Sequence, residues 1–331
     1  LEKRKLLPVI GVSMFILWSS FIVLVILLMA LDLGVLNRKA HIIGAKEALG
    51  WTAFWISLAL LFNIVVFFIY EHHWFGMGLT SGEALSGKQA VLQFLTGYII
   101  EESLSMDNIF VIAMIFAYFK VPNKYQHRVL FWGILGAIVF RMMMILAGSA
   151  LIHRFVWMIY VFGALLVITA FKMFFSNDKP KELEHNYTVI IAKKFLPLTH
   201  EFHENRFVIK LEQKTVFTPL FLCLMVIETT DIFFAIDSIP AIFAITRDPF
   251  IVFTSNIFAI LGLRSLYFAL AAMMAKFHYI KVSLVFILGF VGVKMLASHY
   301  VHIPTWASLC VICLALIGGV LASLYIPGKK H

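Results

Sequence analysis

Apolar residues run along most of this chain in unbroken blocks, without the strict alternation of a half-buried strand. Nine blocks are long enough to cross a bilayer, at residues 8–31, 51–70, 89–118, 129–151, 155–175, 216–245, 250–275, 282–299 and 304–326. A helix needs about 20 apolar residues to cross a hydrocarbon layer of roughly 30 Å. The strands of a membrane barrel alternate over about ten residues. The pattern therefore predicts an all-α polytopic membrane protein. The first block is too long for a signal-peptide core, and no small-residue cleavage pattern follows it, so it reads as a retained helix.

Composition narrows the class. Of 331 residues, 62 % are apolar and 14 % charged, and the mean hydropathy is +0.94. Soluble domains hold roughly 45–50 % apolar and about 25 % charged residues, which excludes a cytosolic or secreted globular enzyme. With only three cysteines, no disulfide framework is expected.

The net charge of +9 reads as an orientation signal, with no nucleic-acid partner implied. If the blocks alternate in direction, the connections on one side carry six Lys and Arg and those on the other carry seventeen. The positive-inside rule makes the richer side cytoplasmic, with the N-terminus outside and the C-terminus inside. Lys3, Arg4 and Lys5 pull the other way. The long polar stretch 176–215 is cytoplasmic in this arrangement, and partial alternation over 205–212 predicts a small hairpin there.

Four basic residues, Arg141, Lys172, Arg264 and Lys294, fall inside predicted spans, together with Glu101, Glu102, Asp107, Glu228, Asp231 and Asp237. Each costs at least about 2.5–3.5 kcal/mol at the bilayer centre on insertion scales, and such groups usually face a bundle interior. Their order repeats. Glu101 and Asp107 are followed by Asn108 and Ile109, and Asp231 and Asp237, equally spaced, are followed by Ser238 and Ile239. Downstream, Gly136 and Arg141 answer Gly262 and Arg264, and Lys172-Met173 answers Lys294-Met295. Spans three to five and six to eight thus form two three-helix repeats. Their odd spacing makes them inverted, an architecture of secondary transporters with a site near the midplane. The organisation is two helices in 1–88, a first repeat in 89–175, the loop 176–215, an inverted repeat in 216–299, and a last helix and tail in 300–331.

Helical spacing puts Glu101, Ser105 and Asn108 on one face, and Asp231, Ala235 and Ser238 on another, with Glu228 one turn earlier. Asp107 and Asp237 lie off those faces, and Pro240 leaves the carbonyl of Ile236 without its helical donor. Carboxylate, amide, hydroxyl and carbonyl oxygens without convergent His or Cys suit a hard divalent ion such as Mn²⁺, Mg²⁺ or Ca²⁺. The competing reading is structural: the acids pair with Arg141, Arg264, Lys172 and Lys294 to hold the helices together. Among weaker signals, Cys310 and Cys313 read as small core residues before a redox pair, and His200 to Glu204 as a solvated face. Asn63 reads as an interhelical hydrogen-bonding residue, His72-His73 as interfacial, and the 33 phenylalanines as lipid-facing filler.

The run Glu101-Glu102-Ser103-Leu104-Ser105-Met106-Asp107-Asn108 resembles the E-x-S-L-S-x-D-N signature of the TerC/Alx integral membrane family. The run from Glu228 to Ala244 resembles its second signature, and Asp248 to Val252 with Ile260 to Arg264 extends the likeness over almost the whole chain. The resemblance implies manganese efflux across a bacterial cytoplasmic membrane, with associations to tellurite resistance and alkaline response. It also implies that Glu101, Asp107, Glu228, Asp231 and Asp237 carry the ion. Relatives often hold a basic residue where this chain has Glu102.

The expectation is a secondary transporter that exports Mn²⁺ by alternating access, with protons as possible counter-ion, no organic cofactor and no enzymatic activity. Glu101, Asp107, Asp231 and Asp237 are the expected ligands, assisted by Asn108, Ser238 and Glu228. Arg141 and Arg264 are expected to hold the acids when no ion is bound. A different class stays open, a membrane-protein assembly or quality-control factor acting through the cytoplasmic loop. A third is a thiol oxidoreductase using Cys310 and Cys313.

Overall fold

The structure, a computed structural model, describes residues 2–32, 44–79, 84–175, 187–199, 201–202, 206–211, 214–271, 279–301 and 303–325. Every predicted block is a helix. They are α1 (Glu2–Leu31), α2 (Ala45–Glu71), α3 (Gly87–Tyr118), α4 (Asn123–Arg154), α5 (Met158–Phe175), α7 (Pro219–Phe243), α8 (Pro249–Ala271), α9 (Ile280–Leu296) and α10 (Thr305–Tyr325). Between α5 and α7 come a short α6 (Tyr187–Phe195) and two strands, β1 (Val208–Leu211) and β2 (Lys214–Phe217). Among the described residues, seven helices are long and apolar enough to cross a membrane. The other two long ones are α3, which carries Glu101, Glu102 and Asp107, and α9, with 17 residues. The chain is an all-helical polytopic membrane protein.

Boundaries shift where polar residues join the helices. The α4 helix starts at Asn123, directly after Pro122, so its polar first turn is helical too. The expected hairpin forms, with Val208 opposite Phe217, and β2 takes Val216 and Phe217, so α7 begins only at Pro219. Pro suits that first turn, because its missing N–H would have no partner there. Pro240 sits in the last turn of α7, which runs on to Phe243. The helix continues through it, because a proline so near the end disturbs little of the ladder beyond the Ile236 carbonyl. The α6 helix was not foreseen, since nine residues are far too short to register as a span.

The α8 helix is the axis of the bundle. Its 18 residues from Phe250 to Tyr267 are all buried, whereas only 22 % to 39 % of the most apolar stretch of the other candidate spans is buried. It packs on α2, α3 and α4, while α7 packs on α4, α3 and α5, α5 on α9, and α10 on α9 and α3. Enclosure of α8 corrects the reading of phenylalanine as filler. Phe94, Phe250 and Phe258 are fully buried and form an aromatic core with Phe21 and Phe62, the Phe62 and Phe258 rings lying 4.7 Å apart. Elsewhere small residues bring backbones together, as helix association in lipid requires. A Cβ on Gly292 of α9 would stand 2.9 Å from the carbonyl oxygen of Gly163 on α5.

Two helix starts, those of α3 and α8, are capped by side chains. Ser86 and Gln89 form a reciprocal capping box at α3. At α8 the buried Asp248 accepts from the backbone N–H groups of Phe250 at 2.9 Å and Ile251 at 3.2 Å. Burial raises the pKa of Asp248 against the pull of these donors. Asp248→Ala strands them at the head of a helix that water cannot reach. It should cost about 1 kcal/mol or more, with Asp248→Asn recovering most of the loss; thermal unfolding in detergent reads both.

Candidate functional site

The centre of the site is a basic residue. Arg141 of α4 is 1 % exposed, at a depth where an unpaired guanidinium is very costly. Its Nη1 donates to Glu101 on α3 in a short ion pair, to Ser238 Oγ on α7 at 3.3 Å and to Asn256 Oδ1 on α8 at 3.2 Å. Its Nη2 and Nε donate to the two carboxylate oxygens of Asp231 on α7 at 3.0 and 3.3 Å. This is the two-pronged geometry that guanidinium and carboxylate prefer. The far oxygen of Glu101 accepts from Asn256 Nδ2 at 2.9 Å. Four helices therefore meet in one network, which formally sets one positive charge against two negative ones.

Local sequence explains the convergence. The predicted faces are the buried ones, Glu101, Ser105 and Asn108 on α3, and Ala235 and Ser238 beside Asp231 on α7. On α8, Thr254, Ser255 and Asn256 are all fully buried. The two hydroxyls return to their own helix, at Phe250 O and Ile251 O, whereas the longer Asn256 amide spans to α3 and α4. Asp231, Asn108 and Thr230 also line a small cavity between α3, α4, α7 and α8. The space open to the centre of a water-sized sphere is about 20 Å³, room for one water or a small ion.

The other expected ligands lie apart from this network. The Glu228 carboxyl is pressed against the Cα of Gly136 on α4, and its Oε2 is buried without a hydrogen-bond partner. Asp237 accepts from Thr169 Oγ1 of α5 at 2.9 Å, with the charge of Lys172 nearby. Asp107 is half-buried, off the Glu101 face. Glu102 is half-buried too, with Oε2 unpartnered. Among the described residues, no three His, Cys, Asp or Glu side chains converge as a metal site. The physical reason is Arg141, whose guanidinium stands between Glu101 and Asp231.

The expectation for Arg264 is corrected. It pairs with Asp32, just beyond α1, instead of with the acids of α3 and α7; it sits eight residues, about 12 Å, further along α8 than Asn256. Lys294 donates to Ser308 of α10 at 2.8 Å. Asn63 bonds between helices as expected, donating to Val91 O on α3 at 3.4 Å. Cys310, read as core, is exposed on the outer side of α10, and Cys313 is half-buried, both as free thiols. His200 and His203 lie outside the described residues.

Sequence reasoning missed Asn256, Asp32 and Thr169. The run Thr254-Ser255-Asn256 in mid-span was a legible signal for the first. Thr169 and Asp32 carried none, since an isolated hydroxyl or an acid at a span end is ordinary.

A family model described as "Integral membrane protein TerC family" matches residues 86–331, from the cap of α3 onward. An uncharacterized membrane protein of Myxococcus xanthus is 49 % identical over 308 residues, 93 % of this chain and 92 % of that one. An uncharacterized membrane protein of Rickettsia felis is 42 % identical over 307 residues, covering 93 % and 97 %. A protein of Escherichia coli (strain K12), provisionally named membrane-bound redox modulator Alx, is 44 % identical over 312 residues, covering 94 % and 93 %. No solved structure gives a significant match.

Substitutions probe first the Arg141 network and second the contact of Glu228 with Gly136. Arg141→Met leaves Glu101 and Asp231 buried without their cation and should destabilise by about 3–5 kcal/mol. Adding Glu101→Gln and Asp231→Asn should recover much of that, read as thermal stability in detergent. At the second contact, Gly136→Ala collides with the Glu228 carboxyl, and Glu228→Ala in the same chain should relieve the collision.

Proposed function

The chain belongs to the TerC family of integral membrane proteins, and from that premise we propose a secondary transporter that exports divalent manganese across the bacterial cytoplasmic membrane. The observation that carries the reading is Arg141 held between Glu101 and Asp231, deep among apolar helices. A simple ion pair has one acid per base. Here two carboxylates from two different helices share one guanidinium, an arrangement with a negative charge to spare.

A divalent cation fits that surplus. It would take over the carboxylates of Glu101 and Asp231 while Arg141 withdraws, so that protein cation and cargo alternate on the same acids. Asn108 and Ser238 would add neutral oxygens, the ligand type that hard divalent ions accept. Glu228, Asp237 and Asp107 would flank the route as further oxygen stops. The choice of manganese among hard cations rests on the family resemblance.

Alternating access needs two halves that can trade conformations. The proposed halves are α3–α5 and α7–α9, inverted in a bundle of nine crossings with the N-terminus outside. Their packing supports the reading. The α3 helix lies on α8 as α7 lies on α4, α3 touches α9 as α7 touches α5, and α3–α7, α4–α8 and α5–α9 are direct pairs. Exchanging the triplets leaves this set of neighbours unchanged, as a two-fold relation between them requires.

In proteoliposomes loaded with Mn²⁺, the wild-type protein should move the ion down its gradient. Glu101→Gln or Asp231→Asn should lower transport roughly 10- to 100-fold, the equivalent of a charge-assisted contact of about 1.5–3 kcal/mol. An assembly factor would move no ion. The redox role in the name of the Escherichia coli relative is tested by Cys310→Ser with Cys313→Ser, which should transport at the wild-type rate.

A further inference from the structure

Helix α6 has two faces that the transport reading does not use. Its sequence, Tyr-Thr-Val-Ile-Ile-Ala-Lys-Lys-Phe, holds two lysines and no acid. Val189 and Ala192, three residues apart, are buried and join the apolar cluster formed by Leu220, Leu222 and Cys223 at the start of α7. The opposite face carries Ile190, Ile191 and Phe195, which are 47 %, 54 % and 72 % exposed. Lys194 lies on that face with its Nζ 5.7 Å from the Phe195 ring. A soluble surface does not leave such a helix bare, and a helix inside the hydrocarbon would not carry paired lysines.

The position of α6 along the bundle points to the same boundary. It follows α5 after eleven residues, 176–186, and α5 ends in the outward-facing Phe171, Phe174 and Phe175. It packs where α7 enters. The segment after it is stitched to that entry, since Phe217 N donates to Pro197 O at 2.8 Å and Thr199 N to Phe217 O at 2.9 Å.

We propose that α6 lies in the headgroup layer of the bilayer, its Ile190, Ile191 and Phe195 face in the lipid and Lys194 on anionic headgroups. The chemistry is that of interfacial helices, which combine a shallow apolar contact with attraction of lysine for lipid phosphate. Because α6 is tied to the start of α7, the lipid surface then anchors the helix that carries Glu228 and Asp231. This anchoring is independent of what the protein transports.

The test uses the full chain in nanodiscs of phosphatidylcholine alone or mixed with phosphatidylglycerol. An environment-sensitive fluorophore is placed at Phe195→Cys, or at Ile191→Cys as a second reporter, in a background of Cys310→Ser and Cys313→Ser. Glu201→Cys, on an exposed loop residue, serves as the solvent reference. The expected result is quenching of both α6 reporters by a quencher carried at headgroup depth, and none at 201. In the phosphatidylglycerol discs, Lys194→Gln should lower the docked-to-undocked ratio about fivefold, with no change in phosphatidylcholine. Iodide access at 195 and 191 equal to that at 201 overturns the proposal. So does shielding that lipid quenchers cannot reach, which marks a protein partner, and so does lipid quenching indifferent to phosphatidylglycerol and to Lys194.

Discussion

A guanidinium buried among membrane helices constrains everything around it. Arg141 cannot stay charged in an apolar interior unless its donors are met, and its partners come from α3, α7 and α8. Those three helices and α4 must therefore hold one arrangement, because sliding any of them would strand a charge. Such a network adds little net stability, since desolvation offsets most of the attraction. Its effect is to select one packing over others that would bury equal apolar area, which lipid itself does not distinguish.

The same network explains why α8 sits at the axis. A helix that presents Asn256 to Glu101 and Arg141 must approach α3 and α4 closely, and once there it is enclosed by α2 as well. Enclosure draws Phe250 and Phe258 into an aromatic core with Phe21 and Phe62. Gly97 of α3 accommodates the approach, since a Cβ there would stand 2.9 Å from Ser255 Oγ. Polar contact and apolar packing are thus two sides of one helix placement.

The acids divide into separate environments, with consequences for chemistry. Glu101 and Asp231 are compensated by Arg141, Asp237 by Thr169 and Lys172, and Glu228 lies against a bare glycine. Carboxylates that look alike in sequence differ in what a cation must displace to reach them. In the proposed transport, a divalent ion at Glu101 and Asp231 would have to displace Arg141 from both at once. Half-displacement would leave a charge without a partner.

Much of this was legible in residue order alone. Length and apolarity determined every long helix, because a bilayer demands a continuous run of about 20 apolar residues and leaves few alternatives. Helical spacing determined that Glu101, Ser105 and Asn108 share a face, and rarity of charge in lipid marked Arg141, Glu101 and Asp231 as interior. Which acid meets which base was decided only by tertiary structure. Arg264 was as good a candidate as Arg141 by sequence, yet it reaches Asp32 beyond α1, while Asn256 completes the network from 155 positions away. Periodicity reports the direction of a side chain from its own helix axis. The partner at the end of that direction depends on how helices pack, and in lipid that packing is set by glycine contacts and buried polar pairs that no local pattern records.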